Sequence, residues 1–258
     1  MSTTTTENTN RVVLVTGASR GLGRSAARHL AAAGTGVIGT YQSNRAEADA
    51  MVEEVRAAGV PAAALRLDVE DASTFESFAG EVADALRAAG AEHLHAVVHF
   101  AGFGAFAPYT ETTAEQVEQM LRVHVSAPFL LTQALLPLMT EGGRVLNVSS
   151  GLARFTNPGY AAYAAAKGAV EVLTRYQAAE LGPRGIRVNA LVPGAIATDF
   201  GGGVVRDVEE VNRAVAGAIA LGRVGEADDI GAAVPALLGD GMRWADGTRI
   251  ELSGGQSL

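Results

Sequence analysis

Apolar residues along the chain fall into two kinds of run. Seven are short and almost continuously apolar: "RVVLV" (11–15), "GVIGTY" (36–41), "AAALRL" (62–67), "LHAVVHF" (94–100), "GRVLNV" (143–148), "IRVNALV" (186–192) and "TRIEL" (248–252). A strand with one wet face alternates apolar and polar residues, so runs without strict alternation predict strands covered on both faces. The second kind is longer, rich in Ala, Leu, Glu and Arg, and predicts helices over 21–33, 45–58, 72–89, 114–139, 160–181 and 226–238. Strand and helix alternate, and parallel neighbours need long right-handed crossovers. The pattern therefore predicts an α/β fold: a doubly wound parallel sheet of about seven strands with helices on both faces. No Pro/Ser-rich linker divides it, so 11–258 is expected to form a single domain. Ligands of such sheets bind beyond the carboxyl ends of the strands, and candidate chemistry is sought there.

Composition narrows the partners. At 258 residues and 48% hydrophobic, the chain can bury a large core. A formal net charge of −8 without any Lys/Arg run argues against nucleic acid and anionic membranes. Zero cysteines exclude disulfides and thiolate metal sites, and the histidine spacing suggests no metal. The opening "MSTTTTENTN" has no apolar core, so residues 1–10 are expected to be a disordered tail and not a signal peptide. No uncharged apolar run approaches the roughly 18 residues of a membrane helix, and a cytoplasmic location is the expectation.

The first strand runs into Thr16-Gly17-Ala18-Ser19-Arg20-Gly21-Leu22-Gly23. Glycines here allow a tight strand-to-helix turn and a close backbone approach to a pyrophosphate at the helix N-terminus. A glycine-rich turn without a ligand is the plainer alternative. The second strand ends in "GTYQSN", where Thr40 and Ser43 occupy the region in which an NAD enzyme usually places a carboxylate. With no acid there and Arg20 available for a 2′-phosphate, NADP(H) is favoured over NAD(H). After the third strand, Asp68-Val69 could meet an adenine, or Asp68 could cap the helix beginning near Asp71. Tyr163 and Lys167 lie four apart on a predicted helix and so share one face. A cation ~4–5 Å from the phenol is worth about 3–4 kcal/mol at intermediate dielectric, enough to draw it toward neutrality. Ser150, at the end of the fifth strand, could donate to a carbonyl oxygen. Tyr160 is a competing tyrosine.

Taken together in this order, "TGASRGLG" (16–23), Asp68-Val69, Ala101-Gly102, Ser150, Tyr163-x-x-x-Lys167 and "PGAIATDF" (193–200) resemble the short-chain dehydrogenase/reductase family, most closely its 3-oxoacyl-carrier-protein reductases. The resemblance runs from about residue 11 to the C-terminus. It implies a Rossmann-type fold and a hydride transfer between NADP(H) and a ketone or 3-oxoacyl-type substrate, with the reverse alcohol oxidation. Tyr163 would be the general acid/base, Lys167 would hold the nicotinamide ribose and lower the tyrosine's pKa, and Ser150 would polarise the carbonyl. Gly17, Ser19, Arg20, Gly21, Leu22 and Gly23 would follow the phosphates and adenosine. Asp68 and Val69 would frame the adenine, Phe100, Ala101 and Gly102 the adenosine ribose, and Pro193, Gly194, Ile196 and Thr198 the nicotinamide. Relatives are commonly homotetramers, so a homotetramer or homodimer is expected.

Two positions depart from the family pattern. His99-Phe100-Ala101-Gly102 stands where Asn-Asn-Ala-Gly is usual, which removes side-chain hydrogen bonds between neighbouring strands. His124, within "LRVHVSAPF", stands where a catalytic Asn normally holds a helix distortion and a relay water. A neutral imidazole can donate at one nitrogen and accept at the other, so His124 is either a relay substitute, a satisfied structural residue, or a mark of lost activity. Lost activity would leave a catalytically silent NADP(H)-binding sensor or scaffold. Phe103, Phe106, Phe155, Tyr160 and Phe200 are expected to surround the carbonyl site, and the glycines at 201–203 to form a lid or a flexible joint.

Overall fold

The computed structural model describes residues 11–258, and the tail expected over 1–10 lies outside the described residues. Strands β1 (Val12–Thr16), β2 (Gly36–Tyr41), β3 (Ala62–Arg66), β4 (Leu94–His99), β5 (Met139–Val148), β6 (Arg187–Pro193) and β7 (Arg249–Leu252) form one sheet in the order β3-β2-β1-β4-β5-β6-β7. Every neighbouring pair is parallel. β5 starts four residues earlier than its apolar run, because Met139 pairs with Leu94 before a register shift leads to the Ala96–Arg144 pairing.

The lack of alternation in the strands has the expected cause. Val12 and Leu14 join a core on one face, while Val13 and Val15 join a core on the other, and all four are fully buried. Helices α1 (Gly21–Ala32) and α2 (Arg45–Ala57) cover the second face, and α3 (Phe75–Ala88) covers the first.

The helix expected over 114–139 is interrupted. It consists of α4 (Ala114–Leu121), a π-helical turn Arg122–Ser126, α5 (Ala127–Leu135) and a 3-10 turn Leu136–Leu138. Pro128 has no N–H for the carbonyl four residues back, and the Ala127 N–H bonds instead to the carbonyl of Arg122, five back. Contrary to the sequence expectation, Ala114–Leu138 is long and apolar enough to cross a membrane by length and composition. Here Ala127, Leu131 and Leu135 are buried in the core beneath β4 and β5, which makes this a core helix of the domain.

The long helix α6 (Ala161–Leu181) follows β5. Residues 200–216, for which no element is predicted, form a 3-10 turn Phe200–Gly203, α7 (Val204–Asp207) and α8 (Glu209–Ala216). The helix expected over 226–238 is two short ones, α9 (Ala227–Gly231) and α10 (Val234–Leu238), the second opening with Pro235 in its first turn.

Candidate active site

The turn after β1 is closed by contact between main chains. Gly17 and Gly21 have φ of +66° and +55°, a Cβ on Gly17 would stand 2.9 Å from the Cα of Ala101, and one on Gly23 would stand 2.3 Å from the Gly17 carbonyl oxygen. The neighbouring strands lock this arrangement. The buried Thr40 hydroxyl accepts the Gly17 N–H at 3.1 Å, and the Thr16 hydroxyl accepts the Ala101 N–H at 3.0 Å. Thr16 thus supplies a side-chain tie between β1 and the segment after β4 that does not depend on the residues at 99 and 100. His99 is buried and pairs through Nε2 with the Thr132 hydroxyl at 2.9 Å.

Helix α1 opens without a side-chain cap, its N-cap Arg20 being extended. Its first N–H groups and the positive end of its dipole are therefore left for an anion. A dinucleotide pyrophosphate fits this uncapped end, over glycines that leave no room for side chains. A cavity of about 210 Å³ beside Gly21 and Thr198 is lined by Arg24, Arg28 and Arg206 and by the carboxylates of Asp199 and Asp228. The Arg20 guanidinium lies 3.7 Å from the Asp199 carboxylate, an exposed and hence weak pair.

Other positions named from the sequence lie at the same strand ends. Ser19 is half-buried in the glycine turn, and Ser43 is exposed beyond β2. Asp68 accepts the Glu70 N–H at 3.0 Å, and Asp71 caps the following helical turn by accepting the Ser73 N–H, so the capping alternative for Asp68 falls away. Val69 packs against the core on the α3 face, and Leu22, Phe100 and Ile196 against the core on the α1 face. Past Pro193 at the end of β6, a Cβ on Gly194 would meet Ser253 at 2.7 Å, and the Ala195 N–H is held by Gln256 at 2.8 Å. Thr198 faces Gly21 across the crevice.

Ser150, Tyr163 and Lys167 come together because β5 is stitched to α6. Asn147 donates to Thr174 and Gln177, and Ser149 donates to the Glu171 carboxylate and the Lys167 carbonyl. Sequence reasoning passed over Asn147 and Ser149, although polar residues in and just after a buried strand are themselves a signal. Tyr163 and Lys167 are 7% and 5% exposed. Ser150 lies near enough to the Tyr163 hydroxyl to favour its ionised form, while its own hydroxyl accepts the Leu152 N–H at 3.3 Å.

Burial pushes the Tyr163 phenol above its ordinary value, and the Ser150 hydroxyl opposes this without reversing it. Burial also brings the Lys167 ammonium down to about 7. Its Nζ donates to the Val148 carbonyl at 2.7 Å and lies 5.5 Å from the centre of the Tyr163 ring. The expected lowering of the phenol by Lys167 is therefore not seen in the protein alone. Desolvation penalises phenolate and ammonium alike, and it is the largest cause at both groups.

The π-helical turn carries His124 inward until it is 2% exposed. Its Nε2 lies 2.7 Å from the Phe103 carbonyl oxygen, which can only accept, so Nε2 carries the proton and Nδ1 is bare. Nδ1 is buried without a partner among the described residues. Burial, with the Lys167 charge adding to it, holds the ring at about 2, so His124 is neutral throughout the physiological range. It meets the Tyr163 ring edge-on at 5.1 Å, and a Cβ on Gly102 would stand 2.5 Å from its Cε1.

Of the five predicted aromatic residues, Phe106, Tyr160 and Phe200 gather at Tyr163. Phe155 instead packs on Gly151 beneath the Arg154 guanidinium, and Phe103 is tied in through its carbonyl to His124.

A family model described as enoyl-(acyl carrier protein) reductase matches residues 17–257. The chain is 36% identical to an uncharacterised oxidoreductase of Methylorubrum extorquens, over 95% of this chain and 97% of the other. Among solved structures it resembles the promiscuous reductase LugOII, which catalyses keto-reduction at C1 during lugdunomycin biosynthesis (37% identity, TM-score 0.91, covering 97% and 99% of the two chains). It also resembles the angucycline C-6 ketoreductase LanV with bound NADP (32% identity, TM-score 0.91, 96% of each chain). With its parallel sheet, its glycine turn and its Ser-Tyr-Lys set at the strand ends, the chain belongs to the short-chain dehydrogenase/reductase family.

Proposed function

We propose that the protein is an NADPH-dependent carbonyl reductase, running the matching alcohol oxidation in reverse, with Tyr163 as its acid and base. The observation that carries this reading is the buried Tyr163 phenol, acted on by Ser150 and with the Lys167 Nζ 5.5 Å from its ring centre. NADPH, when bound, supplies the hydride to the carbonyl carbon. Ser150 orients the carbonyl oxygen, and Tyr163, kept protonated by its burial, gives that oxygen its proton as the negative charge develops. Lys167 stabilises the phenolate that remains until a proton returns from solvent. An ammonium with its pKa near 7 regains full charge beside that phenolate, which restores the attraction missing from the resting site.

NADP(H) is supported over NAD(H) by the carboxylate-free end of β2, by the weakly held Arg20, and by the NADP bound to LanV. His124 acts as a positioning residue: it fixes the loop at Phe103 and the face of Tyr163, and its bare Nδ1 offers the acceptor that a relaying water requires. The exposed apolar residues Val117, Leu121, Phe129, Val172 and Tyr176 on α4, α5 and α6 support a homo-oligomer.

The test is oxidation of NADPH and of NADH against β-ketoacyl thioesters, cyclic ketones, quinones and sugars. The reading expects turnover with at least one ketone and at least about tenfold higher kcat/KM with NADPH than with NADH. Tight NADPH binding without turnover on any carbonyl would instead support a silent binder.

A further inference from the structure

The chain after β7 turns back on itself and touches three segments around the crevice. Gly254 and Gly255, with φ of +62° and +78°, bend it against the loop that follows α8. Their carbonyls accept the N–H groups of Leu221 and Ala220 at 3.1 and 3.3 Å. Ser257 has φ of +52° and is the one residue other than glycine, among the described residues, in the left-handed region. A residue keeps that conformation only where its surroundings fix it. Its N–H donates to the Ala218 carbonyl at 2.9 Å, and its carbonyl accepts Nη1 of Arg154 at 2.9 Å.

The same guanidinium donates through Nη2 to the Gln256 carbonyl at 2.8 Å and forks onto the Glu251 carboxylate at 3.1 and 2.8 Å. Arg154 stands one 3-10 turn beyond Ser150, and the Ala153 N–H closes that turn on the Ser150 carbonyl at 3.0 Å. The side chain of Gln256 reaches the segment after β6. There the Gly194 N–H is held by the Leu252 carbonyl at 3.1 Å, and Gln256 supplies the next tie, its Oε1 accepting the Ala195 N–H at 2.8 Å. A Cβ on Gly194 would stand 2.9 Å from that oxygen, so the two pack without a gap. The main chain of Gln256 is thus fixed to the Ser150 loop, and its side chain to the segment after β6.

Resting on the carbonyl-reductase reading above, we propose that Gln256 is a positioning residue for hydride transfer, holding the segment that would border the nicotinamide in register with the loop whose Ser150 orients the carbonyl. A misplacement of about 1 Å between reacting groups can cost about 100-fold in rate, so a brace between these two segments acts on turnover. The phosphates would be held at the glycine turn, and binding depends on Gln256 much less.

The experiment compares the wild-type protein with Gln256→Ala, which keeps the main-chain bonds of the turn, and Gln256→Glu, which keeps the acceptor oxygen. Without cofactor, amide hydrogen exchange at Ala195 is expected to be about tenfold faster in Gln256→Ala, the size of one lost hydrogen bond. With a ketone that the wild-type protein reduces, kcat of Gln256→Ala falls by about tenfold while NADPH affinity stays within about threefold. Its isotope effect on kcat, read with NADPH carrying deuterium at both C4 positions, is at least as large as that of the wild type, because the slowed step is the hydride step. Gln256→Glu recovers the exchange rate and most of kcat. An unchanged kcat in Gln256→Ala, or a lowered kcat with a smaller isotope effect, overturns the proposal while the carbonyl-reductase reading stands. Absence of turnover by the wild-type protein on the whole ketone panel overturns that reading instead, and this proposal with it.

Discussion

On the β1 side of the crevice main chain touches main chain, whereas on the α6 side aromatic rings fill the space between loops. Gly17, Gly23 and Ala101 leave no room for a methyl group, and the hydroxyls of Thr16 and Thr40 fix the turn to its neighbours. Around Tyr163 the packing is ring on ring, with Phe200 and Phe106 exposed to solvent. The first arrangement suits a ligand of constant shape. The second suits one whose shape varies, because rings can be displaced where a backbone cannot. For the function proposed above, this difference leaves the cofactor half preformed and the substrate half adaptable.

The largest test of that contrast is Gly23→Ala. Its methyl group would overlap the Gly17 carbonyl, and NADPH affinity is expected to fall by at least about 100-fold, measured by fluorescence titration. Retained affinity would mean that the turn is softer than its contacts suggest.

Gly102→Ala probes the point where the two halves meet. Its methyl group would press on the His124 ring, so kcat is expected to fall by about tenfold. Pairing it with His124→Asn, which relieves the overlap, should recover part of the loss. No recovery would show that the damage lies in the cofactor half.

His124 also makes stability depend on pH. An ordinary histidine titrates near 6.5 when unfolded, but His124 and His99 are held at about 2 and about 3 by burial. The unfolded chain therefore binds more protons below pH 6.5, and stability present above that value is lost as the pH falls. Each ring contributes a slope of about 1.4 kcal/mol per pH unit. His124→Asn should remove one such slope between pH 6 and 4 in chemical denaturation. An unchanged slope would mean that His124 is charged in the folded protein.

The smallest effect is expected from Thr40→Val. Losing the bond to the Gly17 N–H costs about 1 kcal/mol. The melting temperature of a chain this long should fall by about 2–4 °C. A larger fall would show that Thr40 supports more than the turn.

Much of the fold and site was legible because it is local. Continuous apolar runs reported the seven strands, and glycines at fixed spacing after β1 reported the turn. Tyr163 and Lys167 read as one face of a helix because their separation sets their geometry. The features that escaped notice depend on contacts between distant segments. The break at Arg122–Ser126 hides inside an unbroken helical pattern, and only the family resemblance, which places a helix distortion at His124, anticipates it. The helices after Phe200 were masked by three glycines whose composition suggests only a loop. Spacing gives the proximity of Lys167 to Tyr163 but not the burial that acts on both groups. His124 showed its tautomer only once the Phe103 carbonyl was placed beside it.

The central claim is that Tyr163 performs the proton transfer in a crevice that binds NADPH independently of it. Tyr163→Phe keeps the ring, its contact with Phe200 and its burial, and removes only the hydroxyl. NADPH binding and ketone-dependent NADPH oxidation should be measured on the same preparation. Affinity within about threefold of wild type with turnover reduced by at least about 1,000-fold is the predicted result. Turnover near the wild-type rate would contradict the account.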